Sequence, residues 1–574
     1  MQKKWLGVIS AIVLVAIVGF FMLKDAGKSE AQEEATEQKE KSKNLIVLIG
    51  DGMGIPQVTL SRIYAQQYLN KDRLFIDDYL VGTNSTNADR NTETGESGIV
   101  TDSAASGTAF ATGNKTYNGA IAVTNEEVAR PVASILEAAQ HANKATGLIS
   151  TARITHATPA VYMSHVRSRN NENAIASQYA TSGIDVLLGG GERHFVATEE
   201  EAMYGKTNRE DGVNLMETFE KEGYDVVRTK DDLMKADGEK LIGFFSNTHI
   251  PYNLDRDEAV PTLKEQFEAA VKVLEKNDEG FVIMIEGGRI DHAGHANDLH
   301  SVVQEMLEFD EVFQAAIEYA KKQGDTSVIA TADHETGGLT IGSQNIYDAY
   351  LDVFEKVTAS SETIGPELEE AETDEQLRAI VKKYTSIDDL ETDEMEILRD
   401  GLLWDRSVSS YGREGAFNAI IAKRGIFGWT GHGHTGVDVG VYGYGPAAEL
   451  LRGFNDNTDF AKAGAEALGL NLEEATKQLQ ERYAYPKFME NDEGVPLFPM
   501  EPLAQFFDWT YDGKIAKNNG VEIAFQNNEA QWNGESVPTI TSQEQLYVPF
   551  EVVQALTKQE LEWDSLSERI VLQP

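Results

Sequence analysis

Gly280-Phe281-Val282-Ile283-Met284-Ile285-Glu286-Gly287-Gly288-Arg289-Ile290-Asp291-His292-Ala293-Gly294-His295 is the stretch from which the rest of the chain can be read. The unbroken apolar run from Phe281 to Ile285 predicts a strand buried on both faces, as in a parallel sheet. Behind it come two glycines and then a cluster in which Glu286, Asp291, His292 and His295 crowd together. If the end of the run is helical, Asp291 and His295, four apart, face one point. Carboxylate and imidazole both suit zinc, so the cluster reads as metal-binding. A structural histidine beside an acid is the plainer alternative, and the density of such groups argues against it.

Outward from this stretch, short apolar runs alternate with amphipathic segments. Candidate strands are Asn44–Ile49, Ala145–Ile149, Ile184–Leu188, Leu241–Phe245, Gly280–Ile285, Ser327–Ala330 and Val437–Tyr442. Candidate helices include Pro56–Leu69, Val132–Asn143, Pro261–Glu275 and Asn297–Lys322. The alternation predicts an α/β fold, a mostly parallel central sheet flanked by helices on both faces. Function in such sheets gathers at the carboxyl ends of the strands. Two segments break the pattern. Residues 344–424 are acidic with helical periodicity and read as a cap-like insertion. From about Asp512 to the end, short strand-like pieces with Asn527-Asn528 and Asn533-Gly534 turn signals read as a small appended β-rich module, 512–574.

Composition narrows the class. At 574 residues with 41% hydrophobic side chains, the chain suits one large globular domain, here 44–511, plus extensions. The net charge of −44 disfavours nucleic acid and anionic lipid as partners. No cysteine is present, so disulfides, thiolate metal sites and thiol nucleophiles are excluded and any metal must sit on nitrogen and oxygen. Lys3 and Lys4 precede nineteen uncharged residues, Trp5 to Leu23. That is an export signal, long enough to span a bilayer core of about 30 Å if retained. Cleavage and retention as an anchor stand on equal footing, and either places the catalytic body outside the cell membrane. Within 1–43, the Glu-, Gln- and Lys-rich residues from Lys28 onward read as a solvated tether.

Four further clusters fall just after predicted strands or at helix starts. Gly50-Asp51-Gly52-Met53-Gly54 sets a carboxylate among glycines, although alone it is an ordinary Asp-Gly turn. Thr101-Asp102-Ser103-Ala104-Ala105-Ser106 places Ser103 where a helix begins, able to receive a phosphoryl group or simply to cap. Thr331-Ala332-Asp333-His334-Glu335-Thr336 and Gly431-His432-Gly433-His434-Thr435-Gly436 add acids and imidazoles. A serine hydroxyl is a weak nucleophile that needs a base or a metal. Two metal ions can activate it and stabilise in-line displacement, and the clusters together supply the ligands for that.

In this order the five clusters resemble the alkaline phosphatase family, from about Asn44 to Pro446. The resemblance implies an alkaline phosphatase-like fold and hydrolysis of phosphate monoesters at alkaline pH through a phosphoseryl intermediate on Ser103. It implies two zinc ions, one on Asp291, His295 and His434 and the other on Asp51, Asp333 and His334. A third site, for magnesium, would use Asp51, Thr158 and Glu286. In Ser164-His165-Val166-Arg167-Ser168-Arg169, Arg169 matches the phosphate-binding arginine, whose guanidinium grips two oxygens at once. His156 and His292 stand where the best-known enterobacterial pattern has aspartate and lysine. Histidines at both places also occur in the family's animal enzymes. His156 therefore leaves the third metal's identity open, because imidazole favours zinc-like ions, and His292 falls at a phosphate-contacting position. The family also implies a homodimer. Asn533-Gly534, Leu546 to Phe550 and Glu562-Trp563-Asp564 are weakly similar to the N-terminal module of some copper amine oxidases. Copper does not follow from that, and a surface-attachment module is the simpler expectation. A sulfatase is disfavoured by the Ala-Ala-Ser that follows Ser103. Phosphodiester hydrolysis and a non-catalytic metal- or phosphate-binding role remain as alternatives.

Overall fold

The computed structural model describes residues 41–573 apart from positions 93, 200, 201 and 558, so the stretch Trp5–Leu23, expected to be an export signal, lies outside the described residues. Among the described residues no helix is long and apolar enough to cross a membrane.

Strands Asn44–Gly50 (β1), Leu80–Asn84 (β2), Val128–Ala129 (β3), Ala145–Arg153 (β4), Val186–Gly190 (β5) and Asp225–Val227 (β6) come in the first half of the chain. Leu241–Phe244 (β7), Phe281–Gly287 (β8), Thr326–Thr331 (β9), Val439–Tyr444 (β10) and Gly453–Asn455 (β11) follow. All but β3 join one ten-stranded sheet in the order β11-β2-β10-β9-β1-β8-β4-β5-β7-β6. β10 runs antiparallel to both its neighbours, and the other pairs are parallel. Each of the seven strands expected from the sequence lies in this sheet, with ends shifted by a residue or two. The short strands β2, β6 and β11, at or next to the sheet's edges, were not expected. They carry too few apolar residues to stand out, and pairing with a neighbour makes them strands.

The sheet's two faces explain the continuous apolar runs. Leu45, Val47 and Ile49 of β1 pack into one layer with Phe110 and Leu148, while Ile46 and Leu48 pack into the other with Ile283, Phe309 and Phe313. A strand covered on both sides cannot alternate apolar with polar. Helices Ile55–Tyr68 (α1), Ser103–Thr112 (α2), Arg289–Ala296 (α3) and Leu299–Gln323 (α4) frame the site. Between residues 344 and 424 the chain forms helices, among them Ser361–Glu370, Asp374–Thr385 and Gly412–Arg424. Their apolar faces share a core with Leu299 and Val303 of α4.

The C-terminal unit is β-rich. The hairpin turns expected at Asn527-Asn528 and Asn533-Gly534 are present, all four residues at positive φ. Its apolar core also takes in Phe498, Met500 and Leu503, upstream of residue 512, together with Val128 of β3. Strands Tyr483–Pro486 (β12), Leu561–Asp564 (β13) and Arg569–Leu572 (β14) form a small sheet with β3, in the order β13-β14-β12-β3.

Candidate active site

The functional clusters meet at the carboxyl ends of β1, β4, β8 and β9, because a parallel sheet points all those ends one way. Asp51 follows β1, Glu286 is the penultimate residue of β8, and Asp333 and His334 come just after β9. Three groups form. In the first, the His295 Nε2 lies 3.2 Å from Asp291 Oδ2, and His434 Nε2 lies 3.6 Å from Asp291 Oδ1. The helical spacing read from the sequence is real: Asp291 and His295 are one turn apart on α3. In the second, His334 Nε2 lies 3.1 Å from Asp333 Oδ2 and 3.6 Å from Asp51 Oδ1. In the third, Asp51, His156 and Glu286 bring ligand atoms within 4.8 Å of one another, with Thr158 Oγ1 3.5 Å from Asp51 Oδ2. The His334 and His434 rings stack at 3.4 Å between centroids, which sets the first two groups side by side.

This donor set fits cations. Asp51, Asp291, Asp333 and Glu286 are all buried, and Asp51 Oδ1, Asp333 Oδ2 and Glu286 Oε1 have no hydrogen-bond partner. Burial, then the neighbouring carboxylates Asp333, Asp291 and Glu286, holds the Asp51 carboxyl well above its ordinary range. Glu286 is pushed up to about 7, chiefly by burial with Asp333 adding to it. Buried like charges with unpaired oxygens are costly unless a cation joins them. The histidines are also set for it. His295 Nδ1 bonds the His432 carbonyl, His434 Nδ1 bonds the Thr101 carbonyl at 2.9 Å, and His334 Nδ1 bonds Thr336 Oγ1 at 3.2 Å. Each Nδ1–H is thereby fixed as a donor, so Nε2 is the nitrogen turned toward the carboxylates, able to bind a cation once it gives up its proton. Burial disfavours charge on His295, but the Asp291 carboxylate outweighs it and lifts the imidazole to about 9. His434 is lowered to about 4 by burial and by His334.

Ser103 is the first residue of α2, where the helix dipole is positive. Its neighbour Asp102 caps the helix by accepting from Ala105 N, so the Ser103 hydroxyl is not consumed as a cap. Ser103 Oγ instead lies 3.3 Å from His334 Nε2. Asp102 also accepts from Arg169 Nη1 at 2.9 Å, aiming that guanidinium beside the serine's helix. On the other side Arg169 Nη2 lies 3.0 Å from His156 Nε2. Burial and the nearby Arg169 and Arg153 hold His156 well below its ordinary range, so it is neutral and accepts this bond. Its one lone pair is therefore engaged by Arg169, and its Nδ1 is buried without a partner.

His292 packs among other histidines. Its ring lies 5.6 Å from that of His156 and 4.2 Å from that of His249. The sequence offered no signal for His249, which stands in a polar loop after β7 and beside Arg153 Nη1 at 2.6 Å. Thr336 and Ser150 were missed as well. Thr336 Oγ1 donates to Asp291 Oδ1 at 2.5 Å, and Ser150 Oγ donates to Glu286 Oε2. Thr336 follows Asp333-His334 and lay within a quoted cluster, whereas Ser150 sits inside β4 and looks like any strand residue.

Comparisons with known proteins point to one family. A family model described as Alkaline phosphatase matches residues 42–470. Alkaline phosphatase 3 of Bacillus subtilis (strain 168) is 36% identical over 483 residues, covering 82% of this chain and 99% of that protein. The crystal structure of a cold-active alkaline phosphatase from a psychrophilic Shewanella sp. matches with a TM-score of 0.64 at 34% identity, over 74% of this chain and 99% of the other. That of Thermus thermophilus alkaline phosphatase matches with a TM-score of 0.66 at 30% identity, over 77% and 96% respectively.

Proposed function

The chain belongs to the alkaline phosphatase family, and from that premise we propose that it hydrolyses phosphate monoesters through a phosphoseryl intermediate on Ser103. The observation that carries this reading is the position of Ser103 Oγ, 3.3 Å from His334 Nε2 and at the edge of the buried ligand groups. Asp291, His295 and His434 would hold one zinc, and Asp51, Asp333 and His334 the second. When bound, these ions supply Lewis-acid charge that ionises the attacking hydroxyl and stabilises the leaving oxygen. Arg169, preset by Asp102 and His156, grips two non-bridging oxygens of the phosphoryl group and orients it in line with Ser103 Oγ. Attack forms the Ser103 O–P bond and breaks the ester P–O bond, and the alcohol leaves with a proton. Water then displaces the serine oxygen from phosphorus, and inorganic phosphate departs from Arg169.

At the third site, His156 can act as a ligand only by releasing Arg169. While that bond holds, Asp51, Thr158 and Glu286 are left as an all-oxygen set, which suits magnesium better than zinc.

The test is hydrolysis of p-nitrophenyl phosphate at about pH 9.5, before and after chelation, with zinc and magnesium restored separately. Loss on chelation, recovery with zinc and a further rise with magnesium are expected. Ser103→Ala should lower turnover by at least about a thousandfold while zinc stays bound. Full activity in that variant would refute the assignment.

A further inference from the structure

The family match ends at residue 470, yet the chain beyond it reaches back to the loop that carries Arg169. That loop, from Val166 to Asn171, is irregular backbone between a bridge to Ile121 and the helix starting at Glu172. Arg169 itself is anchored by its backbone N–H to the Gly119 carbonyl at 2.7 Å. Two residues before it, Arg167 Nη1 donates to the carbonyl of Tyr485 in β12 at 2.9 Å. Two residues after it, Asn171 Nδ2 donates to the carbonyl of Leu566, in the turn of the β13–β14 hairpin, at 2.8 Å. The loop is thus tied on both sides of Arg169 to the C-terminal unit.

The hairpin that makes the second tie is itself firmly seated. β14 pairs with β12, and β12 pairs with β3 of the catalytic body. Arg569 closes the hairpin on Asp564 at 3.0 Å and lies over the Tyr483 ring at 4.3 Å. Leu566 packs against the apolar layer beneath the sheet, and the neighbouring Ser567 is buried. A module hung on a flexible tether for surface attachment would need none of these contacts.

We propose that the C-terminal hairpin positions Arg169, so that Asn171, through Leu566, sets the enzyme's grip on phosphate. This rests on the reading of Arg169 as the phosphate-binding group. Asn171 is a positioning residue, acting only through the arginine two residues away. The inference deepens the substrate-binding site by adding to it a part of the chain that lies outside the family match.

The test is the competitive inhibition constant of inorganic phosphate, measured with the zinc- and magnesium-loaded full chain for Asn171→Ala, Arg169→Ala and the double variant. Loss of one neutral hydrogen bond should weaken phosphate binding about three- to tenfold in Asn171→Ala, with zinc content and melting temperature held. Asn171→Ser, which keeps a donor, should recover part of the loss. In the Arg169→Ala background the Asn171→Ala change should have no further effect, because its action passes through the missing guanidinium. A phosphate constant within twofold of the parent in Asn171→Ala overturns the inference, as does an effect that simply adds to that of Arg169→Ala. If Arg169→Ala also leaves the constant unchanged, the role of Arg169 fails, and the brace with it.

Discussion

Thr336→Val removes one hydroxyl from a fully buried position and leaves the shape of the side chain almost unchanged. That hydroxyl donates to Asp291 Oδ1 at 2.5 Å and lies 3.2 Å from His334 Nδ1, from which it accepts. One atom therefore orients a carboxylate of the first ligand group and an imidazole of the second. A hydrogen bond to a charged group is worth about 1.5–3 kcal/mol. Removing an outer partner of metal ligands typically costs about 10- to 100-fold in affinity, or about 1.4–2.7 kcal/mol. The two estimates overlap, so zinc affinity should fall by about one to two orders of magnitude. Valine leaves no cavity, but its methyl cannot sit 2.5 Å from a carboxylate oxygen, so Asp291 is also pushed aside and the loss is in the same direction. The assay is competition for zinc against a chromophoric chelator, with Thr336→Ser as the control that keeps the hydroxyl. A folded Thr336→Val protein that binds zinc as tightly as the parent would show that the threonine orients nothing, and the reasoning from tautomers would fall.

Two other outcomes follow from the geometry. Glu305 is buried, and burial with the Glu308 carboxylate raises it to about 7. A folded pKa above the unfolded value of about 4.5 gives stability that is complete below pH 4.5 and lost as pH rises through 7. Glu305→Gln should therefore gain on the parent by about 1–3 kcal/mol between pH 5 and pH 8, read by urea unfolding, and a pH-independent difference would contradict this. At Gly54, an added Cβ would lie 2.1 Å from Glu335 Cγ and 2.7 Å from Gln57 Oε1. Gly54→Ala should cost about 1–3 kcal/mol and loosen the Asp51 turn, so a variant with unchanged melting temperature and zinc content would show that the turn can yield.

Much of the site was legible because its parts are local. Gly280 to His295 contains a strand, its end and one helical turn, and the spacing of Asp291 and His295 needs nothing outside that stretch to bring the two together. The same holds for Asp333-His334 after β9 and for Ser103 at the start of α2. Once the apolar runs imply a parallel sheet, these clusters must gather at one edge, since every strand delivers its carboxyl end there. The unexpected strands β2, β6 and β11 sit at or near the sheet's edges, where pairing rather than a long apolar run makes the strand.

Composition and local pattern thus determined the fold class and which side chains could serve as metal ligands or as a nucleophile. The tertiary structure alone decided which of those groups lie together and what orients them. Asp51 belongs to two groups because β1 lies between β8 and β9. His156 spends its lone pair on Arg169, His249 stands against His292, and Asn171 meets Leu566 across 395 positions of chain. No periodicity records such contacts. They arise from the order of strands in the sheet and from packing between distant segments, and a polar residue in a loop looks the same in sequence whether its partner is water or a buried guanidinium.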